Sequence, residues 1–244
     1  MTGIADLHTH TIASTHAYST ILENALQASK RGLLYLATTD HGPAMEDAPH
    51  RWHFANLKAI PETLYGVRIL KGTEANILPG GWLDLEDNIL KELDWVVASI
   101  HESMYPPENK ERNTEAYCRI LSHPYVDMLG HIALDAYPFD DDAVLETAHQ
   151  YSKIVEIKGI FSSSNMRQAY HKLAISCRRH KVLVSVTSDA HFAGNVGKLE
   201  DGMSLLQEIN YPRELIVGAS TENMENFLAL RKVKSLCSVQ TKAN

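Results

Sequence analysis

Side chains that bind metal ions in proteins recur along this 244-residue chain. Histidine occurs 13 times, as often as glycine, although glycine normally makes up about 7% of residues. Imidazole is the commonest metal-binding side chain, and carboxylates complete many such sites. Nine residues are candidates for one metal centre: His8, His10, His16, His41, Glu74, His101, His131, Asp189 and His191.

Short apolar runs precede or contain most of these candidates. Their β-branched, nearly continuous character is typical of strands buried on both faces. The predicted strands are Ile4–Leu7, Leu34–Thr38, Val67–Lys71, Trp95–Ile100, Val126–Leu129, Ile154–Ile157 and Val182–Val186. Amphipathic stretches between them predict helices at Thr20–Arg31, Asp84–Leu93, Thr114–Ser122, Asp141–Tyr151, Asn165–His180, Lys198–Ile209 and Glu222–Lys234.

This alternation of strands and helices predicts an α/β fold with a parallel sheet. Seven strands favour a closed or nearly closed (β/α)7 barrel, similar to a TIM barrel. An open, doubly wound sheet is the alternative, but no glycine-rich phosphate loop follows the first strand, which makes it the weaker interpretation.

The spacing of the candidates matches this architecture. Positions 8, 41, 74, 101, 131, 156 and 189 are separated by 33, 33, 27, 30, 25 and 33 residues, and one strand–helix unit takes roughly 30 residues. Nearly every unit therefore delivers a ligand-type side chain at the carboxyl end of its strand, where such barrels carry their active sites. In H-T-H (His8, His10) and D-A-H (Asp189, His191), residues two apart point the same way in an extended chain.

Several other polar residues allow two interpretations. Asp6 either accepts a hydrogen bond from an imidazole or caps a buried backbone group. Glu156 either contacts the site or pairs with a neighbour elsewhere. His50 and His53 either line the substrate pocket or have no role there. Three histidines on helical stretches are expected to be ordinary surface or core residues: His149, His171 and His180.

Composition excludes other classes of protein. The 23 basic and 30 acidic residues give a formal charge of −7, which argues against broad contact with a nucleic-acid backbone. We expect no membrane span, because no apolar run approaches the roughly 18 residues required, and no export signal. Three scattered cysteines are too few for a disulfide framework. We therefore expect a cytoplasmic protein with a single domain over residues 1–244.

A set of short motifs gives the chain a specific family resemblance. In order, these are D-L-H-T-H, T-T-D-H-G, G-T-E-A-N, A-S-I-H-E, M-L-G-H-I and S-D-A-H. Together they resemble the PHP (polymerase and histidinol phosphatase) family, and D-A-P-H-R-W-H-F resembles its small, stand-alone bacterial phosphatase branch. The resemblance implies a distorted seven-stranded β/α barrel with three divalent metal ions, usually zinc or a mixture with manganese or iron.

The resemblance also implies how the candidates divide among the three ions. One ion would be held by His8, His10, Glu74 and Asp189. Glu74 would bridge to a second ion, held also by His101 and His131. The third ion would be held by His16, His41 and His191.

Two positions depart from the family pattern. The fifth motif is often H-P, whereas His131 is followed by Ile132, and an H-P pair occurs earlier at His123. We select His131 because the predicted strand ends on it. The family's E-I-N reads E-I-K here, which places Lys158 where a substrate contact is expected.

Three divalent ions would bring more positive charge than two carboxylates can neutralise, so the pocket requires an anion. We predict hydrolysis of a small molecule's phosphate monoester by a hydroxide that bridges the metals. Glu74 would fix the metal spacing, and Asp189 would orient the first metal. The alternatives are a nuclease or nucleotide phosphodiesterase, an amidohydrolase-type enzyme, and a metal-stabilised interaction domain without catalysis.

Overall fold

The computed structural model describes the backbone of residues 3–241 and the side chains of residues 3–232. Cys237 lies outside the described side chains. Nine strands occur in this part of the chain: β1 (Ala5–Asp6), β2 (Tyr35–Thr38), β3 (Thr63–Leu64), β4 (Val67–Leu78), β5 (Trp82–Leu83), β6 (Trp95–Ser99), β7 (Met128–Leu129), β8 (Ile154–Lys158) and β9 (Leu183–Thr187).

Seven of these strands form the barrel predicted from the sequence. They are all parallel, in the order β1-β2-β4-β6-β7-β8-β9, while β3 and β5 pair antiparallel with β4. A parallel bridge between Thr9 and Ala190 joins the segments that follow the first and last strands. The barrel therefore nearly closes at its carboxyl rim, with the middle residues of H-T-H and D-A-H side by side.

Helices follow the strands and cover the outside of the sheet. They are α1 (Ile21–Lys30), α2 (Arg51–Asn56), α3 (Asp87–Leu90), α4 (Lys110–Ser122), α5 (Asp141–Gln150), α6 (Ser164–Arg179), α7 (Glu200–Glu208) and α8 (Thr221–Thr241). Among residues 3–241, no helix has both the length and the apolar character needed to cross a bilayer.

Local sequence explains where several of these elements begin and end. Thr20 and Glu23 form a reciprocal capping box that starts α1. The predicted helix at Asp84–Leu93 is reduced to Asp87–Leu90. The residues before it form β5, which pairs with the end of β4, and the Asp84 carboxylate accepts a hydrogen bond from Asn76 N. Tertiary pairing therefore replaces the first turn of that helix.

The amino end of the barrel is filled with apolar side chains. Leu7, Leu70, Trp95 and Met128 are buried in one cluster, and Phe227 of α8 packs against Trp95 with ring centroids 5.6 Å apart. A second and larger cluster lies between the sheet and the helices around it. Apolar groups therefore occupy the amino end of the barrel interior, while buried polar side chains lie at its carboxyl rim.

Candidate metal centre

All nine predicted residues meet at the carboxyl rim of the barrel. Three sets of side chains place one ligand atom each within 4.8 Å of one another. These sets are His8, His10 and Glu74; His41, Glu74 and His101; and His10, His41 and His191. The three remaining candidates, His16, His131 and Asp189, contact members of these sets.

Glu74 lies at the middle of the cluster and is fully buried. Its Oε1 atom lies between 2.9 and 3.4 Å from the Nε2 atoms of His8, His101 and His131. Its Oε2 atom lies 2.7 Å from His41 Nδ1. The two oxygens of this carboxylate therefore face two separate groups of imidazoles, which is the geometry of a bridging ligand.

Asp189 stands opposite the H-T-H pair. Its Oδ1 atom lies 3.0 Å from His10 Nε2 and 3.5 Å from His8 Nε2. Its Oδ2 atom forms an ion pair with the Lys158 ammonium group. The backbone of Asp189 has a φ of 49°, a region that non-glycine residues rarely adopt and that occurs often at functional sites.

His131, and not His123, reaches the cluster. Its backbone also has a positive φ, of 32°, which directs the ring towards Glu74. A Cβ atom on the preceding Gly130 would lie 2.2 Å from the Ser99 hydroxyl, so only glycine allows this close approach. His123 instead lies at the end of α4, where its ring pairs with Asp87.

His16, His41 and His191 form a third group at the outer edge of the cluster. His16 Nε2 lies 3.0 Å from His191 Nε2 and 3.1 Å from His41 Nε2. The other ring nitrogens of His16 and His191 contact the Asp47 carboxylate and the Asp189 carbonyl oxygen, at 2.5 and 3.0 Å. Because those oxygens only accept, the neutral form of each ring has its hydrogen on Nδ1 and a lone pair on Nε2.

Lone pairs that face one another at this distance repel unless a cation lies between them. Around a tetrahedral zinc ion, with Zn–N distances near 2.0–2.1 Å, ligand nitrogens are about 3.3 Å apart. The separations within this group are therefore close to those of three imidazoles on one metal ion.

Unpartnered polar atoms provide an independent test of the fit to metal. Four buried ring or carboxylate atoms in the cluster have no hydrogen-bond partner: His8 Nε2, His10 Nδ1, His41 Nδ1 and Glu74 Oε2. Buried polar groups are rarely left unsatisfied. His41 Nδ1 and Glu74 Oε2 lie 2.7 Å apart without hydrogen-bond geometry, so both atoms are available to cations and the cluster suits divalent metal ions.

Glu156, whose role the sequence left open, accepts hydrogen bonds from two members of the cluster, His8 and His131. Its Oε1 atom accepts hydrogen bonds from His8 Nδ1 at 2.6 Å and from Thr187 Oγ1 at 2.5 Å. Its Oε2 atom accepts from the backbone N–H of His131 at 2.5 Å. Burial alone would raise the pKa of Glu156, but the neighbouring His8 lowers it to about 2, so the carboxylate stays ionised.

The charges of the cluster act differently on its two most buried histidines. Burial opposes protonation of His8, yet Glu74, Glu156 and Asp189 raise its pKa well above 6.5. For His10, burial is the larger effect and lowers the pKa to about 4. In the metal-free cluster at neutral pH, these opposite shifts favour the imidazolium form of His8 and the neutral form of His10.

Asp6 has the structural role that the sequence offered as its alternative. Its carboxylate accepts hydrogen bonds from the backbone N–H groups of Ser188 and Gly197 and from the Ser188 hydroxyl. These contacts fix the chain just before Asp189. Asp6 thus caps buried backbone groups and does not hydrogen-bond an imidazole.

The other histidines lie outside the cluster. His50 caps α2, and the His53 ring faces Asp40 at 3.3 Å beside the β1–α1 loop. His149, His171 and His180 contact neighbouring polar groups on the outer helices, as expected.

Two supporting residues escaped the sequence analysis. Asp47 holds His16, and the side-chain oxygen of Asn76 lies 2.7 Å from His101 Nδ1. Asn76 follows Glu74 by two positions and could have been found by the same rule that paired His8 with His10. Asp47 lies in an irregular loop, where no periodic pattern indicates which way its side chain points.

Comparisons with known proteins agree with this architecture. The family model of the PHP domain matches residues 6–166. A probable phosphatase from Caldanaerobacter subterraneus is 44% identical over 230 residues, covering 92% of this chain and 91% of that protein. A probable phosphatase from Photobacterium profundum is 40% identical over 240 residues, covering 97% of this chain and 98% of that protein.

Among solved structures, the fold resembles histidinol phosphate phosphatase from Lactococcus lactis, crystallised with zinc, L-histidinol and phosphate. The TM-score is 0.60 at 16% identity, with 86% of this chain and 95% of that chain covered. At this level of identity the likeness concerns the fold alone. The match to the family model and the identity to near full-length relatives show that the chain belongs to the PHP domain family.

Proposed function

We propose that this protein is a metal-dependent phosphatase that hydrolyses phosphate monoesters of small molecules. The observation that carries the proposal is the set of unpartnered ligand atoms around Glu74, whose two oxygens face two groups of imidazoles. We also propose that residues 1–244 act as one domain, because the seven barrel strands, from β1 to β9, belong to one sheet.

We further propose that the cluster holds three divalent ions, with zinc favoured by its many nitrogen ligands. His8, His10, Glu74 and Asp189 would hold the first ion, and Glu74, His101 and His131 the second. His16, His41 and His191 would hold the third. Glu74 belongs to both of the first two sets: its Oε1 atom lies 3.3 Å from His8 Nε2 and 2.9 Å from His131 Nε2, and its Oε2 atom lies 3.5 Å from His10 Nε2.

The charge of the pocket selects an anionic substrate. Three divalent ions bring six positive charges, and Lys158 adds another at the side of Asp189. Four carboxylates contact the candidate ligands or belong to them in the described structure, namely Glu74, Asp189, Glu156 and Asp47. A phosphoryl group, with several charged oxygens, satisfies both the remaining charge and the open metal positions.

When bound, the ions would supply a nucleophilic hydroxide between them at neutral pH and would stabilise charge on the phosphoryl oxygens. Glu74 fixes the spacing of the imidazoles on either side of it. Lys158 holds the second oxygen of Asp189, so that the first oxygen stays directed at His8 and His10. An ammonium group has three donors, so Lys158 can also contact the phosphate.

Two findings about similar proteins support this proposal. The relatives in Caldanaerobacter and Photobacterium are both described as probable phosphatases. The L. lactis enzyme was crystallised with zinc, L-histidinol and phosphate, a small alcohol together with the anion released from its ester.

Elemental analysis combined with a panel of phosphate esters tests the proposal. We expect bound divalent metal and hydrolysis of p-nitrophenyl phosphate in preference to bis(p-nitrophenyl) phosphate. The isosteric variant Glu74→Gln should lose both bound metal and turnover, because one ligand oxygen becomes an amide nitrogen. Glu208→Gln is the matched control, since Glu208 is an exposed carboxylate that pairs with Arg167 outside the barrel.

Three outcomes would contradict the proposal. Preferred hydrolysis of the diester would indicate the phosphodiesterase alternative. Hydrolysis of amides without phosphate-ester cleavage would indicate an amidohydrolase. A Glu74→Gln protein with full metal content and full turnover would show that this carboxylate does not bridge the ions.

A further inference from the structure

Two polar side chains, Asp84 and Asn76, connect a loop outside the metal centre to one of its histidines, His101. Asn76 lies on β4 and is fully buried. Its Nδ2 atom donates to Asp84 Oδ2 at 2.6 Å and to the Gly42 carbonyl oxygen at 3.0 Å. Its Oδ1 atom lies 2.7 Å from His101 Nδ1.

These contacts fix the orientation of the Asn76 amide. Gly42 offers a carbonyl oxygen, which can only accept, so the amide nitrogen must point towards it. Asp84 also acts as an acceptor, because its two oxygens receive the backbone N–H groups of Asn76 and Ala44 at 2.9 and 3.0 Å. With the nitrogen held by two acceptors, the amide oxygen has to face His101.

Gly42 leaves the space that the Asp84 carboxylate occupies. A Cβ atom on Gly42 would lie 2.3 Å from Asp84 Oδ1. Any larger residue would displace the Asp84 carboxylate from Asn76. Gly42 belongs to the T-T-D-H-G segment, which also supplies His41, so one short segment positions two parts of the centre.

We propose that Asp84 and Asn76 are positioning residues that fix the tautomer and ring orientation of His101 for metal binding. Since Asn76 Oδ1 can only accept, the His101 hydrogen resides on Nδ1. The lone pair then resides on Nε2, which faces Glu74 Oε1 at 3.4 Å. This inference rests on the proposed metal centre, in which His101 and Glu74 share an ion.

A metal-binding histidine needs such positioning residues because either nitrogen of the imidazole ring can act as the ligand. A neutral histidine can carry its hydrogen on either nitrogen, and the wrong choice or a flipped ring removes the ligand lone pair. Hydrogen bonds to the second nitrogen of a metal-binding histidine typically alter metal affinity by about 10–100-fold. Asp84 acts indirectly, because its hydrogen bonds to Asn76 fix the orientation of the Asn76 amide.

The test replaces Asn76 by leucine, which has a similar size and no acceptor. We expect zinc affinity, measured by competition with a chromophoric chelator, to fall by about 10–100-fold for one ion. In zinc-loaded, ¹⁵N-histidine-labelled protein, the slowly exchanging Nδ1–H signal of His101 should disappear, and His101→Gln assigns that signal. The variant Asp84→Asn should shift both measurements in the same direction by a smaller amount.

Asn113→Leu is the matched control. Asn113 lies on α4, away from the centre, and is also fully buried. Its Nδ2 atom donates to the carbonyl oxygens of Glu108 and Pro138. The Asn113→Leu protein should lose about as much stability as Asn76→Leu does, but it should keep the wild-type zinc affinity and the His101 signal. If Asn76→Leu is too unstable to purify, Asp84→Asn carries the test with the same two measurements.

The outcomes separate this inference from the proposed function. A wild-type protein that binds no divalent metal would overturn the proposed function. A wild-type protein that binds zinc, with Asn76→Leu and Asp84→Asn matching it in zinc affinity and in the His101 signal, would overturn only the positioning role. An equal loss of zinc affinity in Asn113→Leu would show that destabilisation, not tautomer control, explains the effect.

Discussion

Glu156→Gln is the most informative single change for the organisation of this centre. Three donors converge on the two oxygens of Glu156: His8 Nδ1 and Thr187 Oγ1 on one, and the His131 backbone N–H on the other. Glutamine offers only one oxygen, so its amide nitrogen must face at least one donor. The carboxylate charge that strengthens all three hydrogen bonds is also removed.

The magnitude follows from these contacts. A hydrogen bond to a charged group contributes about 1.5–3 kcal/mol, and Glu156 makes two such bonds to the candidate ligands His8 and His131. If the glutamine oxygen stays with His8, the bond to His131 is lost and that to His8 is weakened. We expect a loss of about 1.4–2.8 kcal/mol in metal binding, which corresponds to about 10–100-fold in affinity.

Chelator competition with zinc provides the assay, and circular dichroism verifies that the variant is folded. Thr187→Val is the control, because it removes one hydroxyl hydrogen bond to the same oxygen and keeps the carboxylate charge. We expect it to change zinc affinity much less than Glu156→Gln does. If zinc affinity in Glu156→Gln stayed within about twofold of wild type while the protein remained folded, the supporting role of Glu156 would be refuted.

Three further predictions address the substrate side, the barrel floor and pH. Lys158→Met should lower kcat/KM for phosphate monoesters by about 10–100-fold, whereas Lys158→Arg should retain part of it, because the cation beside Asp189 is lost only in the first variant; equal kinetics in all three proteins would rule out a substrate contact. Arg231→Met should lower the free energy of unfolding, measured by denaturant titration, by about 3 kcal/mol, because Arg231 donates to the buried Asp127 carboxylate at the amino end of the barrel. Zinc affinity should not change, and a loss of zinc affinity would contradict the expectation that this ion pair acts on stability alone. Because neighbouring carboxylates outweigh burial and raise the His8 pKa, its proton stabilises the metal-free protein below pH 6.5, and this contribution disappears as pH rises through the raised value. Zinc must displace that proton, so the rise in Tm on adding zinc should increase as pH rises from 6.5 towards the raised His8 pKa. A Tm shift that does not depend on pH would show that His8 carries no second proton in the metal-free protein.

The barrel was predictable because it depends on periodic features, whereas the PHP family membership was predictable from the resemblance of six short motifs. Apolar runs about thirty residues apart predict parallel strands, and all seven runs became barrel strands. The boundaries differ where pairing extends beyond the apolar run. β4 continues to Leu78, because its carboxyl end pairs with both β5 and β6.

The same periodicity explains why the nine candidates could be chosen before their contacts were known. Residues at the carboxyl ends of parallel strands reach one rim whatever their separation in sequence. The pairing of Thr9 with Ala190 brings the H-T-H and D-A-H triplets together. Metal ligation by each of these residues stays a prediction for the experiments above.

The supporting contacts could not be predicted, because they depend on side-chain directions and on distances between remote segments. His8 and Glu156 are 148 positions apart, and the sequence alone left Glu156 without an assigned partner. Asp47 reaches His16 from an irregular loop, where no period sets the side-chain direction. The sequence thus determined which residue types arrive at the rim, through the strand repeat. Only the tertiary structure decided which oxygen faces which nitrogen, because hydrogen bonds require alignment within a few tenths of an ångström.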